Sequence, residues 1–170
     1  MEVKNITCDF IISKVKNHQK HKKILLDLID KMPQSQSQQN SKSDWNMPSD
    51  HPRKYLDYFY HNIIDDIMGE QKKYFKASQW HIANSWFQQY YDGTYHKYHN
   101  HNLTNWTNVY FVELPYSKDA TRVKSKNKSF KYKVKEGDII TFPAHLLHSA
   151  PNIDKKRKTV ISFNSDFSFF

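Results

Sequence analysis

The chain has 170 residues, 38% hydrophobic and 15% aromatic, which suits one domain with one core and argues against wholesale disorder. Its single Cys8 excludes an intrachain disulfide and a cysteine-based zinc site, and no run approaches the ~18 apolar residues of a membrane helix. Lys and Arg outnumber Asp and Glu by 26 to 17, a net charge of +9, but only Arg53, Arg122 and Arg157 carry the bidentate fork that phosphate readers favour; nucleic acid is an admissible partner, not the favoured one.

Residues 14–32 carry Val15, Ile24, Leu25, Leu28 and Ile29 at helical spacing, ended by Pro33. The Gln/Ser/Asn tract that follows is too polar to pack, and 33–51 reads as a polar loop. From Pro52 to residue 75, Tyr55, Leu56, Phe59, Ile63, Ile64, Ile67 and Met68 form an i, i+3/i+4 stripe, so one amphipathic helix is predicted. After residue 78 the period becomes two. Strands are predicted at Trp80–Tyr91, Thr94–His101, Trp106–Leu114, Ser129–Val134, Asp138–Phe142, Leu146–Ala150 and Lys158–Asn164. Asp92-Gly93, Glu136-Gly137-Asp138 and Pro151-Asn152 punctuate them. Seven short strands after two helices predict a mainly β sandwich or barrel with helices on one side. The expected organisation is a single domain over 1–170, with a helical support region at 1–77 and a β core at 78–166. The start, Met1-Glu2-Val3-Lys4-Asn5, lacks a basic region followed by an apolar one, so a cytoplasmic location is expected.

Five of the ten histidines lie between residues 96 and 148. His99 and His101, two apart on a predicted strand, share a face roughly 6.6 Å apart along the backbone, close enough to converge on one ion. Imidazole suits iron, zinc and nickel. His148, at the start of a later strand, offers a third ligand. His145 reads as a loop residue, and His96 as facing away from His99 or lying at the rim. By themselves the histidines are also compatible with plain polar surface.

Their neighbours extend the pattern. Tyr90-Tyr91-Asp92-Gly93 precedes His99-Asn100-His101, Gly137-Asp138-Ile139-Ile140-Thr141-Phe142-Pro143 precedes His148, and Lys158 follows ten residues later. Over residues 78–166 the chain resembles the Fe(II)/2-oxoglutarate-dependent dioxygenases, in particular the prolyl-4-hydroxylase-like branch and uncharacterised phage-type oxygenases. The resemblance implies a double-stranded β-helix of jelly-roll or cupin type. It also implies a hydroxylase using Fe(II), dioxygen and 2-oxoglutarate as cosubstrate, which becomes succinate as a substrate C–H is oxidised. His99 and His148 then correspond to iron ligands. Lys158 corresponds to the cation that meets the distal carboxylate of 2-oxoglutarate, with Arg157 pointing away. Tyr90 corresponds to a cosubstrate-binding tyrosine, and Tyr110 and Asn164 are further candidates for cosubstrate contact. A protein or peptide substrate is the favoured one, with a small metabolite or a modified nucleotide as the alternatives.

The chain departs from the family pattern at His101, where Asp or Glu is usual. His101 either ligates, giving a three-histidine centre, or stands behind the ligands, or marks a protein that is no longer an oxygenase. Two other classes stay open: a silent cupin-like metal-binding module and a basic nucleic-acid-binding β-domain. The connections at 33–51 and 115–128 are expected to govern selectivity, the second reading equally as a substrate lid or as a disordered hairpin loop.

Overall fold

The period-two alternation becomes two antiparallel sheets sharing one apolar interior. The structure, a computed structural model, describes residues 8–33, 35–36, 41–126, 128–153 and 155–170. In chain order it contains β1 (Ile11–Lys14), α1 (His18–Asp30), β2 (Ser35–Gln36), β3 (Lys42–Ser43), α2 (Lys54–Phe59), a π-turn (Tyr60–Ile64) and α3 (Asp65–Phe75). Then follow β4 (Gln79–Tyr90), β5 (His96–His99), β6 (Trp106–Glu113), a 3-10 turn (Ser117–Asp119), β7 (Arg122–Ser125) and β8 (Lys128–Ser129). The chain closes with β9 (Asp138–Pro143), β10 (Leu147–Ala150) and β11 (Lys158–Ser168). The larger sheet runs β1-β9-β6-β11-β4-β3-β2 and the smaller one β5-β10-β7-β8.

Alternation decides which core each residue joins. On β6, Tyr110 and Val112 join Phe87 of β4, Ile139 of β9 and Ile161 of β11 beneath the helices, with Leu25, Ile29, Phe59 and Met68. Val109 and Phe111 face the other way and pack with Ile140, Phe142 and Val160 against Val123 and Ala150 of the smaller sheet. The middle of the larger sheet is therefore buried on both faces, and β9 and nearly all of β11 are buried without a break. The helices cover one face, as predicted; the inter-sheet space is where a pocket can open.

The structure revises several boundaries. The predicted helix 14–32 begins at His18, because Ile11–Lys14 pairs as β1 with β9. The predicted helix 52–75 is interrupted by the π-turn, within which Ile63 and Ile64 stay buried; Tyr60, also in that turn, donates its hydroxyl proton to Ser85 Oγ at 2.8 Å. Of the predicted loop 33–51, residues 34 and 37–40 lie outside the described residues. Lys42–Ser43 adds to the edge of β4, and Ser41 to Asp44 are buried. The predicted lid at 115–128 contains β7, which pairs with β10, so it is part of the smaller sheet. The strand predicted at Ser129–Val134 shrinks to Lys128–Ser129, although its burial still alternates: Val134 is buried while Lys131 and Lys133 are exposed. Gly137 has φ +92°, and a Cβ there would come within 2.8 Å of the His18 ring, so the turn into β9 requires glycine. No helix among the described residues is long and apolar enough to cross a membrane.

Candidate metal and cosubstrate site

His148 sits on β10 directly opposite His99 at the end of β5, the two being Cα partners across the ladder. Their rings are 4.2 Å apart between centroids. The chain leaves β5 after His99, and His101 is held by its backbone N–H, which donates to Ala144 O at 3.0 Å. Its ring lies 5.2 Å from that of His99 and 5.0 Å from that of His148. His99 and His101 thus converge as expected, by a turn out of the strand rather than by alternation along it. One potential ligand atom from each of the three lies within 4.8 Å of the others.

Protonation and hydrogen bonding suit the trio to a metal. Burial first, and the neighbouring imidazoles second, lower the His148 pKa to about 3 and the His101 pKa to about 4, and lower that of His99. All three are neutral at pH 7, the form that ligates. The Nδ1 atoms of His99 and His148 lie 2.9 Å and 3.2 Å from the carbonyl oxygens of Lys97 and Leu146. An Nδ1–H donating to each leaves Nε2 as the ligand. Nε2 of His101 is buried with no hydrogen-bond partner among the described residues, a cost that a bound ion removes. Three neutral nitrogen donors, two oriented through backbone carbonyls and one orphaned, fit a divalent transition metal.

The trio opens onto a cavity of about 350 Å³ between the sheets. Trp86, Gln88 and Tyr90, alternate residues of β4, line it together with Val109, Thr121, Val160 and Ser162. His96 also lines it, its ring 4.1 Å from that of His99, so it is not turned away; the strand irregularity beside Ala150 brings it round. His145 is an exposed turn residue.

Lys158 is 1% exposed and donates to Asp119 O at 2.9 Å. Among the described residues it makes no ion pair. Burial lowers its pKa to about 7, with Asp119 opposing and Arg122 adding to the shift. It does not itself line the cavity: its Nζ lies 4.2 Å from the centroid of the Tyr90 ring, which does. Burial raises the Tyr90 pKa well above the ordinary tyrosine value. Arg157 points away as expected, donating to Glu113 at 2.7 Å and Asp30 at 2.8 Å.

Two candidates lie elsewhere. Tyr110 belongs to the core under the helices, with its hydroxyl 2.8 Å from His18 Nδ1, because its neighbour Val109 takes the cavity-facing position. Asn164 accepts from Thr107 at 3.1 Å and donates to Asn84 at 2.8 Å, and is absent from the cavity wall.

The residues that sequence reasoning missed are Trp45, Asn46, Trp86 and Gln88. Counting back by twos from Tyr90 would have found the last pair. Trp45 is 53% exposed yet firmly placed, packed edge-on against Trp86 at 4.5 Å, and Trp86 lies 5.4 Å from the His101 ring. Behind it the fully buried Asp44 carboxylate accepts from Arg53 Nε at 2.9 Å, the Tyr55 hydroxyl at 2.6 Å and the Phe87 amide at 2.9 Å. Arg53 also donates to the carbonyls of Met47, Pro48 and His51, fixing the whole turn.

Comparison with known proteins places this architecture. A family model described as Cupin matches residues 95–168, the stretch carrying all three histidines and Lys158. The chain has a cupin-type double-stranded β-helix, mainly β with antiparallel sheets. No curated protein sequence matches significantly. Among solved structures, similar folds include HygX from Streptomyces hygroscopicus with nickel and 2-oxoglutarate bound: TM-score 0.73, 7% identity, covering 96% of this chain and 85% of that one. The viral collagen prolyl hydroxylase of Paramecium Bursaria Chlorella virus-1, solved with 2-oxoglutarate, gives 0.60 at 16% identity, covering 94% and 96%. The Trichoplax adhaerens prolyl hydroxylase, in complex with a hypoxia inducible factor peptide fragment, gives 0.64 at 12%, covering 91% and 82%. The fold is thus one shared with prolyl hydroxylases and other 2-oxoglutarate, Fe(II) oxygenases.

Proposed function

We propose that the protein is a non-haem Fe(II), 2-oxoglutarate-dependent dioxygenase that hydroxylates a C–H of a protein or peptide substrate. The observation that carries this reading is the meeting of His99, His101 and His148 on a cavity whose wall includes Tyr90, stacked on a fully buried ammonium that has no carboxylate partner among the described residues. A cation in that position is costly unless an anion meets it. The dicarboxylate cosubstrate supplies one.

In this reading His99, His101 and His148 hold the metal, which supplies the centre where dioxygen is activated as 2-oxoglutarate is decarboxylated. Lys158 provides the counter-charge for the distal carboxylate, and Tyr90, between cavity and ammonium in the packing order, offers its protonated hydroxyl. Val109, Val160 and Trp86 keep the interior apolar, so charges there interact more strongly than in water. The carbonyls of Lys97 and Leu146 fix the imidazole tautomers. Support for a peptide substrate comes from the Trichoplax fold neighbour, whose structure is a complex with a peptide fragment.

The test is anaerobic reconstitution with Fe(II) and 2-oxoglutarate, followed by exposure to air. A weak visible charge-transfer band and succinate release are expected, and His148→Ala should lose both while its far-UV spectrum stays native. The donor set of three neutral imidazoles also suits zinc or nickel. Metal uptake with neither band nor succinate would identify a silent metal-binding module instead.

A further inference from the structure

Beside the cavity the molecule changes character. Among the cavity's described lining residues there is no Asp, Glu, Lys or Arg; besides the histidines, Ser43, Asn46, Gln88, Asn100 and the two tryptophans are part of its wall. A cationic side chain entering would meet no counter-charge, and a carboxylate would compete with the cosubstrate for the histidine-bound position. The wall suits an uncharged group with an apolar face for Trp45 and hydrogen-bonding atoms for the amides.

The rim is the opposite. Residues 121–131, on and beside β7 and β8, hold five Lys or Arg and no acidic residue. This stretch is structurally tied to the site: Thr121 lines the cavity, and Val123 of β7 is the Cα partner of His148. Arg122, Lys126, Lys128 and Lys131 are exposed, and Lys124 lies 4.0 Å over the ring of Tyr98, the residue before His99. Across the same end of the molecule Tyr116 carries Lys118 and Lys156 over its ring at 5.5 Å and 5.3 Å. These exposed tyrosines are therefore capped by ammonium groups and are poor platforms for base stacking, which single-strand binding relies on. Lysine point charges with capped rings favour a flexible carboxylate chain over a nucleic acid.

We propose that the macromolecule delivered to this site is an acidic polypeptide segment, docked on the β7–β8 rim, whose modified residue is itself uncharged. The inference rests on the oxygenase reading above for its chemistry, but its docking surface can be tested separately. Fluorescein-labelled poly-L-glutamate and oligo-dT of matched length are titrated against the full chain at low and high salt, followed by anisotropy. Polyglutamate is expected to bind, to weaken as salt rises, and to lose about ten-fold in affinity in K124E/K126E/K128E. No binding of polyglutamate, tighter binding of oligo-dT, or an unchanged triple variant overturns the docking surface. Glutamate-flanked peptides varied at one central residue test the second half through stimulated succinate release. Neutral centres should stimulate; Lys- or Asp-centred peptides that do as well, or stimulation by none, overturn the uncharged target. Protein that takes up Fe(II) and 2-oxoglutarate but ignores polyglutamate sinks this inference alone. Protein that binds polyglutamate but neither Fe(II) nor 2-oxoglutarate sinks the oxygenase reading and leaves the surface standing.

Discussion

Two buried charges in this molecule are treated in opposite ways. Asp44, under the Trp45 turn, is met by a guanidinium, a hydroxyl and a backbone amide, so its lone pairs are used within the fold. Lys158, at the end of the inter-sheet space, has one backbone carbonyl and a ring face. The first is architecture: a closed knot that ties the 44–53 turn to β4 and α2. The second is a charge left open, and its lowered pKa records that cost. A buried charge whose partners are complete holds a structure; one left without an ionic partner among the described residues points to a ligand.

The largest expected effect tests the knot. Asp44→Ala removes the shared acceptor of the half-buried Arg53 guanidinium, the buried Tyr55 hydroxyl and the Phe87 amide, and should cost about 3–5 kcal/mol of stability by denaturant titration. A loss under about 1 kcal/mol would mean that water replaces the carboxylate and that the contrast with Lys158 fails. Next, Lys158→Met should stabilise the ligand-free protein by about 1–4 kcal/mol at neutral pH, while 2-oxoglutarate binding measured by calorimetry collapses.

The pH dependence sharpens the second case. The amine's pKa is about 7 in the folded protein against an ordinary lysine value of 10.5, so between these values the unfolded chain binds the extra proton. Stability should therefore climb as pH rises from 7 towards 10. The advantage of Lys158→Met should be full below pH 7 and fade over that window. Cosubstrate binding restores the proton, so 2-oxoglutarate affinity should weaken above pH 7, by at most about ten-fold per pH unit, and Lys158→Met should abolish this slope. The smallest effect belongs to Tyr110→Phe, which removes only the hydrogen bond to His18. About 1 kcal/mol of stability should go, and 2-oxoglutarate affinity should not move.

Legibility followed the strength of the local pattern. The long strands β4, β6, β9 and β11 and the helices under them showed in sequence because their alternation or 3.6-residue rhythm spans many residues. The four-residue strands β1 and β7 did not, since β1 runs on into a helical rhythm and β7 lies in a lysine-rich stretch, so their pairing is decided by the partner's edge rather than by their own residues. His99, His101 and His148 could be grouped from residue type and spacing, whereas His96 enters the cavity through a bulge that no spacing encodes. Tyr110 was placed on the wrong side because one residue of phase separates the two cores. The Asp44 knot joins three segments, at 44, 53–55 and 87, and each looks ordinary in isolation.

With His101 where a carboxylate ligand is usual, the three side chains bring no negative charge to a divalent ion. In the proposed oxygenase, electroneutrality at a loaded centre would then depend on the 2-oxoglutarate dianion itself. Ion and 2-oxoglutarate should accordingly tighten one another's binding by the same factor, so that each is retained poorly without the other and the pair assembles as a unit.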